Sequence, residues 1–196
     1  SACLVGSEMC IRDSPYITPL VANAILWTWV FNTDFGLANW VLSWFHLPQV
    51  FWLQDPRVVK ISFVLMGWWT IGGQMVILLA GLQSIPDQLY DAASIDGAGP
   101  WDRFWNVTLP LLTPVLFFNL TLALVGAFQV FVQSYVMTGG GPEDASLFYV
   151  LYLYQIAFQN FDMGYASAMA WLLFVVILVI TLIQFRYANR WVLSLI

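Results

Sequence analysis

The sequence predicts an all-α, polytopic membrane protein, with about four transmembrane helices. Charged residues make up 9% of the 196-residue chain and apolar residues 61%, whereas a soluble domain carries about 25% charged residues. No globular core of this size hides so much apolar surface. Aromatic residues reach 17%, which suits a chain whose Trp and Tyr rings gather at the headgroup level. The charges that do occur are spaced widely enough to leave stretches of the length needed to cross a bilayer, about 20 residues.

Four stretches qualify as spans. The first runs from about Tyr16 to Phe31, charge-free between Asp13 and Asp34, and the second from Ile61 to about Leu82, between Lys60 and Asp87. The third runs from about Leu111 to Met137, and the fourth from about Gly164 to Phe185, ending at Arg186. Phe35–Gln54 is uncharged but contains Asn39, His46 and Gln49 and is broken at Leu47-Pro48; with Trp40, Trp44, Phe51 and Trp52 it reads as interfacial. Ala145–Phe161 is short and carries Gln155, Gln159 and Asn160, so an interfacial helix is expected there rather than a fifth span. Lysine and arginine give little orientation: Arg103, Arg186 and Arg190 fall on one side, Arg57 and Lys60 on the other.

The two ends differ from the rest. Cys3–Ser14 is what a transposon adapter used for sequencing libraries encodes, and Leu193–Ile196 is what its reverse complement encodes. Residues 1–14 and 193–196 are therefore expected to be non-native, with 15–192 the natural segment and further spans expected before Pro15. Cys3 and Cys10 fall in the first piece, so no disulfide or redox role rests on them. The net charge of −5 is too small to imply a particular partner, and no nucleic acid is expected.

The loop from Gln83 to Pro110 is the most informative segment. Ser84 with Asp87 three residues on, and Pro86 inside the first turn, signals a helix start. That helix is expected from Ile85 to about Asp96, with Leu89, Ala92 and Ala93 on one face. Gly97 suits a left-handed C-terminal cap. Gly99-Pro100 opens a second short helix with Trp101, Phe104, Trp105 and Thr108 at helical spacing, and Leu109-Pro110 marks a turn into the next span.

Asp91-Ala92-Ala93, Gly97 and Val107-Thr108-Leu109-Pro110 together resemble the "EAA" loop of permeases of ATP-binding-cassette (ABC) importers, whose pattern is Glu-Ala-Ala, a later Gly and Ile/Val-x-Leu-Pro. The resemblance extends over roughly Pro15–Val192. Phe31-Asn-Thr-Asp-Phe-Gly-Leu-Ala-Asn39, Gly126–Phe131 with Val136–Pro142, and Phe161–Ala168 are similar to segments of the carbohydrate branch, of the MalF-like or UgpA-like subunit type. It implies part of a six-helix permease core in a bacterial or archaeal cytoplasmic (inner) membrane, surrounded by lipid. It also implies that 83–110 is a cytoplasmic coupling loop docking on an ATPase dimer, through Asp91, Ala92, Ala93, Gly97, Leu109 and Pro110. The implied partners are a second permease subunit, that ATPase and an extracytoplasmic solute-binding protein, for which Gly139–Pro142 would offer a flexible loop. Asp91 departs from the pattern by one methylene, so no specific ion pair is assigned to it.

Polar residues inside spans are costly and mark either a pathway or an interhelical hydrogen bond. Gln74, Gln129, Gln133, Tyr135 and Ser167 are the candidates. Each serves either role equally well, and the resemblance favours Gln129 for contact with a sugar or sugar-phosphate-like solute, with Trp68 or Trp69 as stacking surfaces. The natural segment holds no cysteine, one histidine (His46, expected to be structural or interfacial), no metal-ligand cluster and no phosphate loop. Catalytic and metal-binding residues are thus not expected. The chain is expected to bind no cofactor, with ATP and Mg on the partner ATPase. The competing readings are a secondary transporter, against which the lack of an acidic residue within the four spans counts, and a polytopic membrane enzyme.

Overall fold

The structure, a computed structural model, describes residues 18–191. The segments expected to be non-native, 1–14 and 193–196, lie outside the described residues. Every regular element described is helical: α1 Leu20–Val30, α2 Leu37–Trp44, α3 Val59–Trp69, α4 Gly72–Gln83, α5 Asp87–Ile95, α6 Pro100–Arg103, α7 Leu109–Phe128, α8 Val132–Met137, α9 Tyr149–Tyr154 and α10 Met163–Trp191, with π-helical turns at Phe104–Thr108 and Gln155–Gln159. Among the described residues two helices are long and apolar enough to cross a membrane, Pro100–Met137 and Met163–Tyr187, and α3 with α4 make a third span if the broken pair is one. The expected first span is represented by α1, an 11-residue apolar helix. Tyr149–Gln159 is not among the membrane-length helices.

The chain divides into two compact units, one comprising residues up to 72 together with 128–171, the other 73–127 together with the residues from 172 onward.

In the first unit the core gathers Ala24, Phe31, Met66 and Met137, with Trp27, Trp52, Phe63 and Val136 packed against them. Phe31 stacks on Trp52 at 5.4 Å and lies 5.0 Å from Trp27. Asn39, only 7% exposed, holds the loops around this core. Its amide donates to Thr33 O (3.1 Å) and Val50 O (3.0 Å), while its Oδ1 accepts from Val50 N–H (3.2 Å) and Trp52 Nε1–H (3.0 Å). Asn32 Oδ1 accepts the amides of Asp34 and Phe35, and Gly36 is forced by crowding, since a β-carbon there would strike Asn32 O and come within 2.6 Å of Val30 O. The Phe-Asn-x-x-x-Gly-x-x-Asn spacing is thus a folding device: turn, close approach, clamp. His46 closes α2 in a left-handed turn (φ 54°) in which Leu47 N–H bonds Leu42 O and His46 N–H bonds Ser43 O.

The glycine-rich segment expected to be flexible is instead hydrogen-bonded into the first unit. Buried Ser134 donates to Ser146 O, Ser146 Oγ donates to Gly141 O (2.6 Å), and the Thr138 and Ser146 hydroxyls lie 2.6 Å apart. Gly139 N–H reaches Ser134 O at 2.8 Å. Two of these hydroxyls, Ser134 and Ser146, satisfy main-chain carbonyls that a turn with φ of 62° at Gly139 and 103° at Gly140 takes out of helical pairing, and Thr138 braces the second.

The second unit packs α4, α7 and the C-terminal part of α10. Gly81 on α4 lets α7 approach closely: a β-carbon there would meet Leu112 and Val115 at 3.0 Å. Across α7 and α10, Gln184 Nε2 donates to Thr121 Oγ1 (3.0 Å), and Phe117 meets Phe185 edge-on at 5.0 Å.

Three expectations change. The second span is interrupted after Trp69, where Thr70 N–H and Oγ1–H both bond Gly67 O and Gly72-Gly73 restart the helix. The third span is interrupted at Gln129–Phe131, with Phe131 at non-helical φ −133°, ψ −63°. Leu109-Pro110 makes no turn: the helix runs on from Pro100 through the π-turn at Phe104–Thr108 into α7. Widening the helix by one residue accommodates a proline, which lacks an N–H and would clash with the preceding turn.

Asn39→Ala leaves Val50 and Trp52 donors and the Thr33 and Val50 carbonyls unpaired, so about 3 kcal/mol of stability is lost. Thermal unfolding in detergent should show a lowered midpoint for this variant.

Candidate functional site

The candidate coupling loop folds within the second unit as two helices joined by a capped elbow. α5 begins at Asp87 with Pro86 as N-cap (φ −64°, ψ 133°), two residues later than the expected Ile85. Ser84 does not cap it; its Oγ donates backwards to Gly81 O (2.7 Å), closing α4. Ile85 beside it is buried. At the other end, Gly97 N–H bonds Ser94 O (3.1 Å) and Ala98 N–H bonds Ala93 O (2.9 Å), with Gly97 at φ +77°. This pair of bonds is a Schellman cap, and it requires the left-handed residue that glycine supplies. Gly99 starts α6, and Asp102 Oδ2 accepts its N–H at 3.2 Å.

Two contacts tie the helices together that the sequence did not suggest. Arg103 Nε–H donates to Ala98 O (2.9 Å) and its Nη2 donates to Ser94 Oγ (3.1 Å). The hydroxyls of Tyr90 and Thr108 lie 3.0 Å apart, and Thr108 Oγ1 also reaches Arg103 O at 3.4 Å. Arg103 enters a sequence reading only as a charge for topology, because its partners nine and five residues back are set by the path of the elbow. An arginine shortly after a Gly-x-Gly-Pro helix stop is the one hint available.

Of the expected coupling residues, Asp91, Ala92 and Gly97 are exposed, Ala93 is half-buried, and Leu109 and Pro110 are half-buried at the start of α7. The Asp91 carboxylate accepts no hydrogen bond from the described residues, whereas apolar side chains stand out in water: Ile95 is 87% exposed and Trp101 75%.

The candidate solute residues are divided between the two units. Gln74 is exposed on α4 in the second unit; Gln129, Gln133, Tyr135 and Ser167 belong to the first. Ser167 Oγ donates to Gly164 O (2.8 Å), which makes it a helix back-bond. Tyr135 joins an aromatic cluster, stacked on Phe131 (5.4 Å, 14°) and edge-on to Tyr154 (5.4 Å), which in turn packs on Phe158 (5.2 Å). Gln129, exposed, occupies the interruption between α7 and α8. Phe131, Tyr154 and Phe158 are not among the candidates the sequence offers; the density of aromatics in 148–161 points only to Tyr154 and Phe158. Trp68 and Trp69 are exposed, with Trp69 edge-on to Trp27 at 6.0 Å. An open cleft of about 440 Å³ in the first unit is lined by residues including Thr28, Asn32, Gln54, Met137 and Thr138.

Membrane-length helices interrupted by a polar elbow with exposed apolar side chains define a class: multi-span membrane proteins with a presented interhelical loop. The chain belongs to the family of binding-protein-dependent transport system inner membrane components, which it matches over residues 11–193. It is 44% identical over 175 residues to the "Probable ABC transporter permease protein YesP" of Bacillus subtilis (strain 168), covering 88% of this chain and 56% of that protein. With the trehalose/maltose transport system permease protein MalF of Thermococcus litoralis it shares 39% identity over 176 residues, covering 88% of this chain and 58% of MalF. The fold is similar to a crystal structure of a bacterial alginate ABC transporter in complex with its alginate pentasaccharide-bound periplasmic protein. There the TM-score is 0.86 and the identity 25%, over 98% of this chain and 67% of that one. The chain spans little more than half the length of the curated relatives it matches.

A β-carbon at Gly97 meets nothing within 4 Å, so Gly97→Ala strains only the backbone, by about 1–2 kcal/mol. Hydrogen exchange at the Gly97 and Ala98 amides, which close the cap, should quicken accordingly, and less so in Gly97→Asn.

Proposed function

We propose that this chain is a membrane-embedded permease subunit of an ABC importer that moves a sugar or sugar-phosphate-like solute across the cytoplasmic membrane of a bacterium or archaeon. The observation that carries this reading is the braced elbow at 83–110. It combines an Asp-Ala-Ala and Gly97 pattern with apolar side chains exposed on an otherwise polar helix pair, in a chain of the binding-protein-dependent family. Exposed Ile95 and Trp101 suit burial by a partner. That partner is a cytoplasmic ATPase dimer, which binds ATP and Mg; this chain supplies no hydrolytic group and holds no cofactor. A second permease subunit completes the pathway, and an extracytoplasmic solute-binding protein delivers the solute.

Solute contact falls to Gln129 and the neighbouring aromatic cluster. Irregular backbone at membrane depth is tolerated where it is buried or lines a water-filled path, and Gln129 sits in such an interruption. An amide beside aromatic rings suits a neutral polyhydroxylated solute, through hydrogen bonds and stacking. Gln133 and Tyr135 follow on α8; Gln74 and Ser167 are secondary members of the pathway. Carbohydrate is favoured because MalF, UgpA and AraP, which this chain resembles, are permeases for trehalose/maltose, sn-glycerol-3-phosphate and arabinooligosaccharides.

Reconstitution in vesicles with the second permease, the ATPase and the binding protein tests both parts. ATP-dependent uptake is expected, and Gly97→Pro abolishes it; uptake that follows an ion gradient without the ATPase overturns the reading. Gln129→Ala should raise the solute concentration for half-maximal uptake about tenfold, the worth of one good polar contact. Unchanged uptake and unchanged solute preference in that variant would remove Gln129 from the pathway.

A further inference from the structure

The elbow between α5 and α6 contains Gly97-Ala98-Gly99, two glycines within three residues. Left to itself such a segment pivots easily, because glycine restricts neither φ nor ψ strongly. A push on α5 would then be absorbed by rotation about the elbow and would not reach α7. Arg103 closes that degree of freedom. Its Nε–H and Nη2 grip Ala98 O in the elbow and Ser94 Oγ in the last turn of α5, beside the helix's negative end. The guanidinium's planar fork suits this two-point grip, and lysine, with a compact ammonium, reproduces only part of it. Tyr90 and Thr108 add a second strut one turn away on each side. From α6 onward the helix is unbroken through the π-turn into α7.

We propose that Arg103 is the positioning residue that locks this elbow, so that displacement of α5 by the ATPase becomes displacement of α7 instead of rotation about Gly97–Gly99. The inference rests on the coupling reading of 83–110 given above. Arg103 acts here through Ser94 and Ala98, not by touching ATP, solute or the ATPase. Its loss therefore separates hydrolysis from transport while leaving ATPase binding intact. Ser94, which the solute pathway does not use, becomes part of the same device.

The test compares the intact complex in vesicles for the native chain, Arg103→Gln, Arg103→Lys, Ser94→Ala and the Arg103→Gln/Ser94→Ala double variant. Three quantities are measured: ATPase affinity, ATP hydrolysis rate and solute moved per ATP hydrolysed. In Arg103→Gln, solute per ATP should fall about tenfold, within the usual range of coupling between distant sites, with ATPase affinity unchanged. Arg103→Lys recovers part of the loss, Ser94→Ala loses less, and the double variant is no worse than Arg103→Gln alone. Native stoichiometry in Arg103→Gln overturns the proposal, and so does loss of ATPase affinity in that variant, which would make Arg103 a direct contact. Hydrogen exchange at the Ala98 amide of the chain without partners reads the lock independently. If the native chain binds no ATPase, the coupling reading fails and takes the transport role of Arg103 with it, while faster exchange at Ala98 in Arg103→Gln still verifies the lock itself.

Discussion

A main-chain N–H or C=O left without a partner costs free energy wherever water does not replace it, several kcal/mol inside a bilayer, and the pairing of such groups organises nearly every irregular feature of the described residues. Where a helix stops, a nearby side chain or a tightened turn takes over. Thr70 folds back on Gly67 O between α3 and α4, and Asn39 spends its whole amide on the loops before and after α2. The hydroxyls of Ser134, Thr138 and Ser146 knit the glycine-rich turn, and Gly97 with Arg103 closes α5. The interruption at Thr70–Ile71 is therefore a built feature, and that at Gln129–Phe131 holds the residue proposed above for solute contact.

Helix content and the approximate positions of the second, third and fourth expected spans were legible because they follow from composition and the spacing of charges, whereas the first is met by the 11-residue α1, shorter than a span needs. The interruptions were not. Hydropathy averaged over a span cannot register a Thr70 that bonds back to Gly67 O, or a Phe131 drawn out of helical geometry into a cluster with Tyr135 and Tyr154. Pro110 misled in the other direction, since a proline after Leu109 reads as a turn while the π-turn before it lets the helix continue. Ser84 looked like an N-cap by type and spacing, yet its hydroxyl closes the preceding helix and Pro86 opens the next.

Within the candidate site, Gly97 was legible because only one residue type readily adopts its backbone conformation. Asn39 was legible as part of a resemblance, but its four hydrogen bonds supply the physical reason for the motif. Arg103 was not legible, because the residues it grips come together only once the elbow has formed. Distributed polar residues such as Gln74 and Ser167 show the opposite limit: residue type marks them as unusual in a span, while locally Gln74 is exposed and Ser167 only bonds back to Gly164 O.

The central claim is that the elbow at 83–110 is the docking element for a separate ATPase. Its most direct test is the accessibility of position 95, where the native isoleucine is 87% exposed. With Cys3→Ser and Cys10→Ser as background, an Ile95→Cys variant is treated with a water-soluble maleimide, with and without the ATPase subunit. The account predicts rapid labelling of the permease alone and strong protection once the ATPase is bound. Equal labelling in both conditions would contradict it.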